Sequence, residues 1–253
     1  MKCRCAAEAE QTENTAQRIN SADRETKRNR KTEQNRKQTE QRNKAERETK
    51  RNRKRTMDNE EIKALKAQIR KDVRAKRRML GKEQIAESSG LVSKQVFALE
   101  AFENAELLLA YMPARNELDV GYITEKAREL GKRAAFPLCI ENGGLRLLVP
   151  DTPDCFVKGS YGILEPDVSR SREVEAAALD LIIVPAIAFT KDGNRLGQGG
   201  GYYDRLLKKT DAVTVGVGYD FQLFADLPVE PHDCRLDYVV TPSGVFDCTN
   251  TKR

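Results

Sequence analysis

From Leu181 to Val184 four branched aliphatic residues follow one another with no polar position among them, bounded by Asp180 and Pro185. A strand with one wet face alternates apolar and polar side chains, so an unbroken run belongs to a strand covered on both faces. Such coverage needs packed layers on either side, which leaves few architectures open. This run belongs to a strand expected over Leu179–Pro185, and further short apolar runs lie at Ala105–Tyr111, Arg133–Pro137, Leu145–Val149, Ala212–Gly218 and Asp237–Thr241. Helical patterns lie between them, one at Asp119–Leu130 closed by Gly131 and another over 201–209. The alternation predicts an α/β fold, three layers α/β/α around a mostly parallel sheet. Ligands of such sheets bind beyond the carboxyl ends of the strands, which directs attention to the segments after Tyr111 and Pro185.

Two amphipathic helices come first. Ile62, Leu65, Ile69, Val73 and Leu80 recur at helical spacing with basic residues on the other faces, predicting a helix over 59–79. Ile85, Leu91, Val92, Val96, Phe97 and Leu99 supply the buried stripe of a second helix over 83–101. Lys66 and Arg70 stand four apart on the first helix and project from one face; alone, such a pair reads as a solvated face.

Residues 1–56 do not belong with this pattern. They hold 18 Lys/Arg against 9 Asp/Glu, so the chain's net +6 divides into +9 here and −3 in the remainder. RETKRNRK occurs twice, at 24–31 and 47–54, and Leu, Val, Phe and Tyr are absent. A segment with almost nothing to bury cannot offset its ordering entropy, so a disordered appendage is expected, with a single folded domain over 57–253 and Met57 as its natural first residue. The alternative is a basic arm for RNA or another anionic surface. The body itself has no basic excess, which argues against nucleic acid as its ligand.

Composition excludes further classes. Six Cys are scattered at positions 3, 5, 139, 155, 234 and 248 without a C-x-x-C pair, so neither a zinc site nor a disulfide framework is indicated, and reduced thiols in the cytoplasm are expected. Apolar runs fall far short of the roughly 20 residues a membrane helix needs, and no secretory signal opens the chain. The only His, His232, leaves no histidine cluster for metal or triad chemistry and is read as incidental to catalysis.

The richest segment follows Leu179–Pro185: Ala188-Phe189-Thr190-Lys191-Asp192-Gly193-Asn194-Arg195-Leu196-Gly197-Gln198-Gly199-Gly200-Gly201-Tyr202-Tyr203-Asp204. Glycines leave backbone amides unshielded, and a helix start after them adds a positive end, so the loop reads as an anion cradle to which Arg195 brings a guanidinium. No Lys-Ser/Thr follows the last glycine and Tyr202 breaks the dinucleotide spacing, so it is neither a Walker A nor a Rossmann loop. A glycine turn without a ligand is the plain alternative.

The whole string DLIIVPAIAFTKDGNRLGQGGGYYDRLL, from Asp180, resembles the signature of the 5-formyltetrahydrofolate cyclo-ligase family. KAQIRK (66–71), LLAYMPARNELDV (108–120), GKRAAFP (131–137), YGILEP (161–166), VGVGYDFQ (215–222) and LPVEPHDCRLDYVVTP (227–242) resemble its other motifs in order. The resemblance implies ATP-dependent closure of 5-formyltetrahydrofolate to 5,10-methenyltetrahydrofolate with release of ADP and phosphate, on a fold similar to sugar-phosphate isomerases and CoA transferases. It also implies roles. Lys66, Arg70, Arg195, Gly197, Gln198, Gly199, Gly200, Gly201, Tyr202 and Tyr203 match the ATP site, with Arg195 and Tyr202 nearest the chemistry. Met112, Glu117, Gln198 to Gly201 and Tyr202 match the folate site, Glu117 as the acid that holds the pterin. Asp204 and Asp233 match carboxylates associated with Mg²⁺, hard oxygen ligands of the type it prefers. One departure is visible: Gln198 stands where the family more often has Arg or Lys, which removes a cation near the phosphates. The partners implied are the two small substrates, with no membrane, with nucleic acid only through the tail, and with a monomer expected. The rivals are a nucleic-acid module driven by the tail, and a phosphosugar isomerase on the same fold.

Overall fold

The computed structural model describes residues 59–140, 143–159, 162–230 and 233–249, within the unit Asn59–Arg253. The basic segment 1–56, Met57, Tyr161 and His232 lie outside the described residues.

Helix α1 spans Asn59–Arg78, with Glu60 and Glu61 in its first turn and Lys76, Arg77 and Arg78 in its last, charges that complement the helix dipole at both ends. Its buried stripe differs from the expected one. Lys66, Ile69, Val73 and Arg77 face inward, whereas Leu65 is 41% exposed. Two of the basic residues therefore sit on the packed face, where carboxylates and carbonyls from distant segments meet them. The second expected helix is in fact two, α2 (Lys82–Phe97) and α3 (Glu100–Asn104). The turn at Ala98 and Leu99 brings Phe102 against Phe97, ring centroids 5.3 Å apart, a meeting that residues five apart on one straight helix would not make.

In order, the chain then forms β1 (Leu107–Leu109), α4 (Gly121–Glu129), β2 (Arg133–Cys139), β3 (Leu145–Pro150), β4 (Phe156–Lys158), β5 (Leu164–Pro166) and β6 (Ser171–Val174). There follow β7 (Leu181–Pro185), β8 (Ala188–Thr190), β9 (Arg195–Leu196), α5 (Tyr202–Leu206), β10 (Val213–Val217), β11 (Leu223–Phe224), β12 (Tyr238–Thr241) and β13 (Gly244–Asp247). Eight strands make one sheet in the order β13-β12-β10-β7-β1-β2-β3-β6. Its centre, β12 to β2, is parallel. Both margins are antiparallel: β13 and β3 return through connections too short for a parallel crossover, and β6 runs antiparallel to β3 after the longer segment that holds β4 and β5. The sheet is thus mixed, where a mostly parallel one was expected. A hairpin, β4–β5, and a small sheet, β11-β8-β9, stand apart from it.

The central strands alternate between two cores, which is why they read as continuous apolar runs. Leu108, Leu181, Ile183, Val215 and Val217 pack with Val92, Val96 and Ile123 of α2 and α4. Leu107, Leu109, Ile182 and Val184 pack on the opposite side with Phe189 and Leu206. A third cluster seats α1: Ile69 and Val73 against Ile187, Ala188, Leu196 and Leu227. Burial of this kind stabilises by about 25 cal/mol per Å² of apolar surface removed from water.

Candidate active site

A cleft of about 440 Å³ opens beyond the carboxyl ends of β1, β2 and β7, where the chain leaves the sheet in opposite directions from β1 and β7. Each of Lys66, Arg70, Met112, Glu117, Arg195, Gly197, Gln198, Gly199, Gly200, Gly201, Tyr202, Tyr203, Asp204 and Asp233 lines it. These residues come from four separate stretches of sequence.

Helix α1 brings the basic pair. Lys66 Nζ donates to Glu230 Oε2 at 2.6 Å and to Asp233 Oδ2 at 3.2 Å, and Asp233 also accepts from the Glu230 backbone amide at 2.8 Å. Arg70 Nε donates to the Gly197 carbonyl at 3.0 Å, tying the helix to the glycine loop. Burial, and then the adjacent Arg74 guanidinium, lower the Arg70 pKa from the ordinary arginine value. An arginine remains charged nonetheless, so an anion reaching this wall meets a cation that gains by being neutralised.

The glycine loop differs from the expected cradle in one respect. Helix α5 has five residues before a 3₁₀ turn at Leu207–Lys209, so its macrodipole is small and would add little to the attraction of an anion. Gly201 has φ +66°, a left-handed turn that carries the chain into α5, and a side chain there would meet the Arg205 guanidinium at 2.7 Å. Arg205 itself fastens the loop, donating to the carbonyls of Gly200 at 2.8 Å and Gly143 at 2.6 Å. Arg195, 7% exposed on the short strand β9, pairs with Asp204 at 2.5 Å and lies over the Tyr203 ring, while its Nε is buried without a partner.

Glu117 stands on the opposite wall. Its carboxylate pairs with Arg77 at 3.1 Å and accepts from the Ala114 amide at 3.2 Å. Burial, and then the Glu117 charge, hold the Tyr111 and Tyr203 hydroxyls well above the ordinary phenol value, and burial pushes Tyr219 up to about 12. All three stay neutral hydroxyls at physiological pH. Gln198 spans the cleft: its Oε1 accepts from Arg74 at 2.6 Å and its Nε2 lies 3.4 Å from Glu117. The Arg74 guanidinium therefore already stands beside the uncharged Gln198. The remaining wall is apolar, from Pro137, Leu145, Ile163 and Leu164.

Asp204 and Asp233 are hard donors on the cleft wall, each paired with a cation. Among the described residues no group of three or more His, Cys, Asp or Glu is placed to hold a metal ion. Mg²⁺ asks for less than that, one or two carboxylates beside phosphate oxygens and water, so these residues fit it as partners of a nucleotide-bound ion. Four further residues, Arg74, Arg77, Arg205 and Glu230, come to notice in the tertiary structure. Arg77 alone carried a signal, since 66, 70, 73 and 77 continue one helical face.

An α/β sheet whose topological switch point opens into a cation-rich, glycine-walled cleft has the place and the lining that a phosphorylated small molecule would need. The sequence model of the 5-formyltetrahydrofolate cyclo-ligase family matches residues 62–242, and the chain belongs to that family, whose members are ATP-dependent ligases. It is 34% identical over 148 residues to the 5-formyltetrahydrofolate cyclo-ligase of Escherichia coli K12, covering 56% of this chain and 81% of that protein. The mouse protein of the same name is 28% identical over 162 residues, covering 59% of this chain and 80% of the other. Among solved structures, Aquifex aeolicus 5,10-methenyltetrahydrofolate synthetase superposes with a TM-score of 0.66 at 34% identity, over 73% of this chain and 93% of that one. No helix among the described residues is long and apolar enough to cross a membrane.

Proposed function

We propose that this chain closes 5-formyltetrahydrofolate to 5,10-methenyltetrahydrofolate in the cleft between α1, the glycine loop and the loop after β1, using ATP and releasing ADP and phosphate. The observation that carries the reading is the convergence of Lys66, Arg70, Arg195 and the glycine loop on one wall with Glu117 on the other. A formamide oxygen is a poor leaving group. Attack of that oxygen on the γ-phosphorus of ATP, with ADP leaving, makes it a phosphate ester; the neighbouring amine nitrogen then attacks the formyl carbon and gives up its proton, and phosphate departs with the oxygen. Phosphoryl transfer needs position and neutralised charge more than a protein nucleophile.

Each residue acts within that scheme. Lys66, Arg70 and Arg195 neutralise phosphate oxygens, and the loop Gly197–Tyr203 approaches them closely because its glycines carry no side chains. Glu117 accepts paired hydrogen bonds from the aminopyrimidinone edge of the pterin. Met112 and Tyr202 flank the folate, and the apolar wall of Leu145, Ile163 and Leu164 suits an aryl group. Asp204 and Asp233 would hold Mg²⁺ with the nucleotide, and the ion would supply further neutralisation of the transferring phosphoryl group.

The two cores on opposite faces of the sheet support a three-layer α/β/α reading, akin to sugar-phosphate isomerases and CoA transferases. The thiols of Cys139 and Cys155, not joined in disulfides among the described residues, suit a reducing cytoplasm, and a monomer that binds small molecules completes the reading. The deciding assay follows the methenyl chromophore from 5-formyltetrahydrofolate with and without ATP. Product without ATP, or none with it, sinks the proposal.

A further inference from the structure

The loop between β1 and α4 holds two consecutive residues in the left-handed region, Arg115 at φ +50° and Asn116 at φ +58°. Neither is glycine, so the turn is strained, and such strain persists only where the surroundings over-determine it. Here they do. Arg77, 2% exposed, gives Nη2 to the Ala114 and Arg115 carbonyls, each at 3.0 Å, and Nε to the Arg115 carbonyl at 3.2 Å. Asn116 Nδ2 returns a bond to the Arg77 carbonyl at 2.9 Å, and the Tyr219 hydroxyl donates to the Asn116 carbonyl at 3.2 Å. The same Nη2 that holds the turn pairs with Glu117 Oε1 at 3.1 Å. One guanidinium thus fixes both the strained backbone and the carboxylate that the backbone delivers to the cleft.

We propose that Arg77 is a positioning residue that seats the Ala114–Glu117 turn and aims the Glu117 carboxylate at the folate, without itself lining the cleft. The inference rests on the reading that Glu117 receives the pterin. A packed alanine or leucine at position 77 would serve helix packing better, since a buried arginine with Nη1 left unpartnered is costly unless its fork does work elsewhere. A planar five-donor fork meets two carbonyls and a carboxylate at once; a lysine ammonium cannot reproduce that geometry.

The experiment compares Arg77→Lys, Glu117→Gln and the double variant, measuring the KM for 5-formyltetrahydrofolate alongside binding of a non-hydrolysable ATP analogue without folate. Arg77→Lys is expected to raise the folate KM roughly 10-fold, with analogue affinity within about twofold of the parent. The double variant should be little worse than Glu117→Gln alone, because both changes disable one carboxylate. An unchanged folate KM in Arg77→Lys, or penalties that multiply in the double variant, overturns the inference. If Glu117→Gln leaves the folate KM unchanged, the assignment of Glu117 to the pterin falls and this inference falls with it. Should the Arg77 variants fail to unfold cooperatively, Asn116→Gly decides: it keeps the left-handed turn accessible but cuts the amide link to α1. A folate KM raised several-fold at unchanged analogue affinity supports the seat, and an unchanged one refutes it.

Discussion

Arg195 and Gln198 show how differently one loop uses its side chains. Arg195 is buried with one nitrogen lacking a partner and another on Asp204, so its charge is held in place before any ligand arrives. Preorganised donors of this kind typically carry a large share of catalysis, and Arg195→Ala should lower kcat on the order of 10²–10³-fold. A loss under about threefold in steady-state turnover would remove it from the phosphate site. Gln198 is a polar bridge between Arg74 and Glu117. Sequence alone suggests that restoring a cation by Gln198→Arg would tighten ATP, by supplying charge that glutamine lacks. The neighbours of Gln198 argue the other way: a new guanidinium would lose the bond from Arg74, face that cation and compete for Glu117. Initial-rate measurements with Gln198→Arg should therefore show a higher folate KM and no gain for ATP, even at low ionic strength where an added charge would act most strongly.

At the scale of elements, α1 carries the basic wall and is itself held by a small apolar contact. Ile69 and Val73 key it against β8 and β9 through Ile187, Ala188 and Leu196. Lys66 and Arg70 depart from the same turns, so the packing that seats the helix also sets the cations. Ile69→Ala should cost roughly 2–4 kcal/mol in denaturant unfolding, the range for truncating a buried aliphatic side chain. It should also raise the KM for ATP more than that for folate, because Ile69 lies within one turn of Lys66 and Arg70 but about two turns from Arg77, which holds the Glu117 turn. Equal changes in both constants would mean that α1 does not set the nucleotide wall independently. The break between α2 and α3 belongs to this scale too: packing of Phe102 against Phe97 ends a helix whose local pattern would let it continue.

For the whole molecule, the charge asymmetry separates the chain's two compositional parts. Removing residues 1–56 should leave cooperative unfolding and ring closure intact, since those residues hold almost no core-forming side chains. Loss of activity in the chain begun at Met57, or nucleic-acid binding that is salt-sensitive and survives the deletion, would reassign the boundary. Chelation offers a second test. With Asp204 and Asp233 as partners of a nucleotide-bound ion, EDTA should abolish turnover and Mg²⁺ restore it, and full activity in chelator would show that the side-chain cations suffice.

Hydrophobic period, glycine spacing and ordered motifs are local properties, and they were enough to specify the α/β class, the central strands from β1 to β12, the family, and residues from Lys66 to Asp233 that the structure gathers along one cleft. The antiparallel margins β6 and β13 and the short strands β8, β9 and β11 escaped notice, because two- to four-residue strands carry too little period to register. The orientation of α1 escaped for a different reason. Periodicity assigns apolar residues to the inside, but Lys66 and Arg77 are buried because Glu230, Asp233, Glu117 and the Ala114–Arg115 carbonyls arrive from elsewhere in the chain. Whether a cation lies in water or within a fold depends on partners distant in sequence, and only the tertiary structure brings those partners to it.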